Sequence, residues 1–160
     1  MNECNLKPLR SSLIVGALML PLAMPATAMA QSFIFKSTSN AQNALGGNGQ
    51  NGVPYSGGYW TGSSSGEMAD GQKTNTTFKC VMMTQPPKDS LFEAHMLCDV
   101  TAANGTYSAT MGCMFVNPAK QEVSCIGGLY GTSGAYEGRR GSITNHAKGS
   151  VSTGTGQWFQ

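Results

Sequence analysis

The chain is poor in charge and in histidine, and it shows no amphipathic helix of useful length. Only 11% of its 160 residues are charged, against roughly a quarter in an ordinary globular protein. Ten basic and eight acidic residues leave a net charge of +2. That balance argues against nucleic acid or an acidic polymer as the main partner, since neutralising phosphates takes clustered Lys and Arg. The only histidines are His95 and His146, and neither has a ligand-type residue at chelating distance in sequence. No Cys-x-x-Cys or His-x-x-x-His pair occurs, so the short chelate of a zinc site is missing and no metal or cofactor is expected. Beyond residue 30 no apolar run approaches the roughly 20 residues a membrane helix needs, so no transmembrane segment is expected.

What is present begins with an address. Lys7 and Arg10 form a positive start, Leu13 to Leu20 an apolar run, and Ala28-Met29-Ala30 a small-x-small cleavage site. Residues 1–30 therefore read as a signal peptide cleaved after Ala30, which makes the mature chain secreted or periplasmic. Cys4 precedes the apolar run and leaves with it. Glu3, Lys7 and Arg10 leave too, so the ten basic and eight acidic residues become eight and seven, a net charge of +1. The remaining residues suffice for one domain with one core. Asn75-Thr76-Thr77 and Asn104-Gly105-Thr106 are glycosylation sequons, relevant only in a host that glycosylates.

Four cysteines stay behind: Cys80, Cys98, Cys113 and Cys125. An even count in an exported chain reads as two disulfides. Turn residues then divide the sequence: Met68–Gly71, Pro86–Asp89, Ala102–Gly105 and Asn117–Lys120 are rich in Asn-Gly, Asp-Gly and Pro. Between them lie stretches of about ten residues with β-branched and aromatic content, the spacing of antiparallel strands in a sandwich or barrel. Strands are expected at 32–37, 57–66, 73–84, 91–100, 106–116, 121–130, 138–147 and 150–159. Residues 31–56 read as a flexible Gly/Asn-rich N-terminal segment, with 40–56 an exposed loop or arm, and 57–160 as the barrel domain.

Strand parity sharpens this. Phe78, Cys80 and Met82 share one face, as do Phe92, Ala94, Met96, Cys98 and Val100. Tyr107, Ala109, Met111, Cys113 and Phe115 form a third set, and Val123, Cys125, Gly127 and Leu129 a fourth. All four cysteines thus face a common core. A hairpin about 117–120 sets Cys113 near residue 125, and one about 85–90 sets Cys80 near residues 95–98. These positions favour Cys113–Cys125, because bridged Cα atoms lie within about 7 Å, and Cys80–Cys98 follows by elimination. Cys98–Cys113 with Cys80–Cys125 is the geometric alternative.

The run Gly127-Gly128-Leu129-Tyr130-Gly131-Thr132-Ser133-Gly134-Ala135-Tyr136-Glu137-Gly138-Arg139-Arg140-Gly141 resembles the glycine-rich signature of the allene oxide cyclase-like and dirigent-like barrels. The likeness covers residues 57–159, its specific part about sixteen residues. It implies an all-β, eight-stranded antiparallel barrel enclosing a small apolar or phenolic molecule, with cyclisation or radical coupling guided without a cofactor. The four-cysteine set departs from the pattern, and no catalytic residue transfers.

Pocket candidates come from the residues themselves. Arg139 and Arg140 point to opposite faces, so one of them can enter the barrel mouth and hold a carboxylate or phenolate. Tyr130, Tyr136, His146 and Trp158 are candidates for a pocket rim, with packing at the barrel corner as the structural alternative for Tyr136 and Trp158. His95 lies opposite Met96 and Cys98, and its structural alternative is a solvated outer face shared with Lys79, Glu93 and Asp99. Met82, Met83, Met96, Met111 and Met114 read as adaptable lining. Gly47-x-Gly49-x-x-Gly52 and Gly62-Ser63-Ser64-Ser65-Gly66 match nucleotide and serine-nucleophile motifs without the flanking elements these require. Three functions follow: a ligand-binding or cyclase-type barrel, a non-catalytic structural or interaction module, and, least favoured, a hydrolase using Ser64. The oligomeric state stays open.

Overall fold

A computed structural model describes residues 30–48, 54–84, 91–117, 119 and 121–159. The expected signal peptide lies outside these residues except for Ala30. Eight strands follow one another: β1 (Gln31–Asn48), β2 (Pro54–Met68), β3 (Lys73–Thr84), β4 (Ala94–Ala102), β5 (Gly105–Asn117), β6 (Glu122–Gly134), β7 (Arg140–Lys148) and β8 (Val151–Phe159). Each pairs antiparallel with the next, and β8 pairs with β1, which closes the barrel. The described residues contain no helix longer than a single 3₁₀ position.

Register fixes the barrel's size. Paired residues run from Ala41 through Trp60, Cys80, Cys98, Ala109, Leu129, Gly141 and Trp158 to Gln31. One circuit therefore returns to β1 ten residues from its start, at position 31 instead of 41. Such a stagger on eight strands goes with a tilt of roughly 35–45° and a lumen just wide enough for side chains to fill.

Parity then sorts the side chains. Cys80, Cys98, Ala109, Leu129 and Trp158 from this one circuit are all buried. The next circuit carries Met82, Met96, Met111, Ile143 and Phe33, all within or packed against the core. Large residues meet glycines on the adjacent strand. The Phe33 ring lies over Gly156, Phe35 over Gly154 and Phe78 over Gly62, so that a methyl group at any of these glycines would overlap a ring. Alternation of large and small residues is how a narrow barrel fills its taper.

Both disulfides join neighbouring strands from inside: Cys80–Cys98 links β3 to β4 and Cys113–Cys125 links β5 to β6, each with Cα atoms 4.0 Å apart. Each stabilises by about 2–4 kcal/mol, chiefly by restricting the unfolded chain. The alternative pairing is absent.

Two expectations change. The Gly/Asn-rich stretch is largely strand: β1 runs on to Asn48 and β2 starts at Pro54. Glycine weakens a strand without forbidding it, and here the β1–β2 ladder carries it. The barrel accordingly starts at Gln31, since β1 supplies one of its staves. Phe92 was expected to face the core with Ala94. Its ring instead covers Gly112 on the outer face, because regular β4 geometry begins only at Ala94. Glu93 anchors this turn of chain, its N–H bonded to the Cys113 carbonyl and its carboxylate accepting the Phe115 N–H.

Candidate functional site

The pocket candidates fall in three places. The first is one end of the barrel. After β6 the chain turns through residues 135–138, with Gly134 and Gly138 at positive φ. This turn folds back so closely that Gly131 has no room for a β-carbon against the Tyr136 backbone. Tyr136 is thereby pressed into the barrel end, against Tyr107 at 5.1 Å and Trp158 at 5.2 Å between ring centres. Tyr107 and Trp158 meet edge to face at 5.2 Å. Arg139 closes the stack, its guanidinium 5.3 Å from the Trp158 ring centre and its Nη2 donating to Gln31 Oε1 at 3.2 Å. A guanidinium over an indole is worth about 0.5–2 kcal/mol.

The chemistry available there is that of a plug. Trp158 is 2% exposed and Tyr136 8%. Burial, reinforced by the neighbouring Tyr136 and partly countered by a hydrogen bond from the Thr76 side chain, pushes the Tyr107 phenol up to about 12. Tyr107 therefore keeps its proton and does not act as a base at neutral pH.

The second place is the outer wall of β6 and β7. Register sets His146 beside Ser124, and Glu122 follows two residues away on the same face of β6. Ser124 Oγ lies 2.8 Å from His146 Nδ1, and Glu122 Oε1 lies 3.0 Å from Nε2. With the proton on Nε2, the serine donates to Nδ1 and the ring donates to the carboxylate, the order of nucleophile, base and orienting acid. The surroundings do not match that order. His146 is 48% exposed. Ser124 sits inside a strand flanked by β5 and β7, so the nearby backbone N–H groups belong to the ladder and do not form an oxyanion-binding pair. Arg140 and Tyr130 share this outer surface, with the guanidinium 5.5 Å from the exposed ring.

His95 occupies a third place, on the outer face of β4. It meets the edge of the Phe92 ring at 5.8 Å, and its Nε2 is buried without a hydrogen-bond partner among the described residues. Ser64 lies within β2, in the barrel wall, and its hydroxyl donates to the Lys36 carbonyl at 3.2 Å. No strand–turn–helix elbow surrounds it. The other motif match, Gly47 to Gly52, extends beyond the described residues.

Thus Tyr136 and Arg139 come together at the plugged end with Tyr107 and Trp158. Tyr130 joins Arg140, His146 joins Ser124 and Glu122, and His95 stands apart. Reading along the sequence missed the roles of Tyr107, Ser124 and Glu122. Equal parity on β6 was the available signal for the last two, but their histidine partner comes from β7. Two depressions of about 500 and 560 Å3 are lined mostly by outward-facing residues, among them Ile34, Glu67, Thr144 and Thr155 in one and Lys36, Ser63, Asn75 and Thr77 in the other. Among the described residues no three His, Cys, Asp or Glu side chains gather as a metal site requires. No protein-family model matches this chain, and no curated protein does.

Proposed function

We propose that this protein is an exported, non-catalytic interaction module, with the barrel as scaffold and its outer surface as the working part. The observation that carries the reading is the interior packing. Phe33, Phe35 and Phe78 occupy the space over inward glycines of the adjacent strands, and Trp158 and Tyr136 plug one end. A barrel that binds a drug-sized molecule usually offers a chamber of some 300 Å3 or more. Here those rings narrow the lumen, and the two depressions of about 500 and 560 Å3 are lined mostly by outward-facing residues. The polarity supports the same reading. The wall is mixed: Lys36, Lys79, Asp99 and Lys148 lie exposed on it beside exposed Val81, Leu97 and Ile126, and such charges interrupt the apolar band that a lipid-facing barrel carries.

Export rests on the apolar leader ending in Ala28-Met29-Ala30 and on two disulfides, which persist in oxidising compartments. Kinship with the allene oxide cyclase-like and dirigent-like barrels belongs to this proposal as architecture alone, because fold does not fix function. The test is calorimetric titration of the protein with a methoxyphenol and with a medium-chain fatty acid. The proposal expects no saturable heat from either. A one-to-one binding isotherm for one of them would restore the ligand-enclosing reading.

A further inference from the structure

The barrel closes over only part of β1. β8 pairs with Gln31–Thr38, and one further bond joins the Ser39 N–H to the Ser150 carbonyl at 2.8 Å. From Asn40 to Asn48 the strand is paired with β2 alone, with a bulge between Ala41 and Asn43 where it leaves the wall. Among the described residues nothing bonds to its other edge. Nine residues of unpaired edge present a row of backbone donors and acceptors roughly 30 Å long at about 3.4 Å per residue.

β3 flanks β2 as far as Gly57, so Asn40–Leu45 is the outer strand of a three-stranded stretch and only Gly46–Asn48 with Pro54–Ser56 forms a two-stranded tip. Asn43 to Asn48 are all exposed, Leu45 is 66% exposed and Tyr55 is 48% exposed. A two-stranded tip with exposed side chains is marginal by itself, and an edge strand gains from a further partner. Proteins that stay apart usually guard such an edge with lysine, proline or an inward charge. This one does not: residues 37–66 contain no Asp, Glu, Lys or Arg, and residues 40–48 contain no proline.

We propose that the free edge of β1, residues 40–48, pairs antiparallel with the same edge of a second copy of this chain, giving a two-fold dimer with one continuous sheet running across both arms. Charge selects this occupant. A neutral edge repels no identical edge and gives a charged peptide no anchor. The net charge of +2 for the full chain adds little long-range repulsion between copies. An antiparallel edge also complements itself about a two-fold axis, as a dimer interface between identical chains requires. The inference rests on the reading of the barrel as an interaction module, and it names the partner.

The test is light scattering coupled to size exclusion over a dilution series, on protein with both disulfides intact. The expected result is twice the chain mass at high concentration, falling to the single mass on dilution. Ala44→Lys with Leu45→Lys places like charges at the paired edge and should give the single mass throughout, with an unchanged circular dichroism spectrum and no free thiols. Val81→Ser with Leu97→Ser, on the exposed wall of β3 and β4, should leave the dimer intact. A single mass for the parent protein at every concentration overturns the inference, as does a dimer that survives the lysine pair or vanishes with the wall pair. None of these outcomes bears on the small-molecule titration, so failure here is distinguishable from failure of the proposed function.

Discussion

Gly156→Ala probes how tightly the lumen is filled. Gly156 faces inward on β8 beside Phe33 of β1, and an added β-carbon would overlap the Phe33 ring. The ring must then move within a packed interior, which costs about 1–3 kcal/mol for overpacking of this kind. Replacing glycine in a strand returns about 0.5–1 kcal/mol of backbone entropy. The net expectation lies between no change and a loss of about 2.5 kcal/mol. Gly128→Ala is the matched control. Gly128 faces outward, and its β-carbon would meet nothing closer than the Gly141 carbonyl at 3.7 Å. That variant should gain the entropy alone, about 0.5–1 kcal/mol. Phe33→Ala removes the obstruction, so Gly156→Ala in that background should lose its penalty, a coupling of about 1–3 kcal/mol in a double-mutant cycle. The assay is guanidinium unfolding under non-reducing conditions, followed by near-ultraviolet circular dichroism. A Gly156→Ala protein as stable as Gly128→Ala, or a penalty unchanged without the Phe33 ring, would refute the packing reasoning.

Other consequences follow from the same structure. Cys113→Ser with Cys125→Ser should lower stability by about 2–4 kcal/mol, read by the same unfolding assay. Spectrophotometric titration should find one tyrosine, Tyr107, ionising near its raised value of about 12. Because the unfolded phenol ionises near 10.0, the stability that neutral Tyr107 contributes should be complete below pH 10.0 and fall as pH climbs towards about 12. Trp158→Ala opens a cavity under Tyr107, Tyr136 and Arg139 and should cost about 3–5 kcal/mol by denaturant midpoint. His146→Ala breaks an exposed cluster and should change stability by less than about 1 kcal/mol, and parent and variant alike should give no ester hydrolysis above buffer.

Much of the barrel wall was legible from parity. Cys80, Cys98, Cys113 and Cys125 each fall on the apolar face of a strand. The turns on either side set them opposite one another, which is why both bridges were readable in advance. Closure was harder, because β1 meets β8 through pairs such as Gln31 and Trp158, with no local signal joining them. The arm reads as a loop because Gly46 and Gly47 lack strand propensity, while its ladder to β2 depends on register. Phe92 was misplaced because parity was carried across an irregular stretch before β4. The site suffered most. Tyr136 and Arg139 are near in sequence and were named separately, while Tyr107 reaches them from β5, and His146 finds Ser124 and Glu122 only through β6–β7 pairing.

The proposed function requires a lumen occupied by the protein's own side chains. Native mass spectrometry of the protein isolated from its own host tests that most directly. The predicted spectrum contains the mature polypeptide with two disulfides, as single or paired chains, and no added mass. A small molecule that stays bound to each chain in the gas phase and is released on unfolding would contradict it.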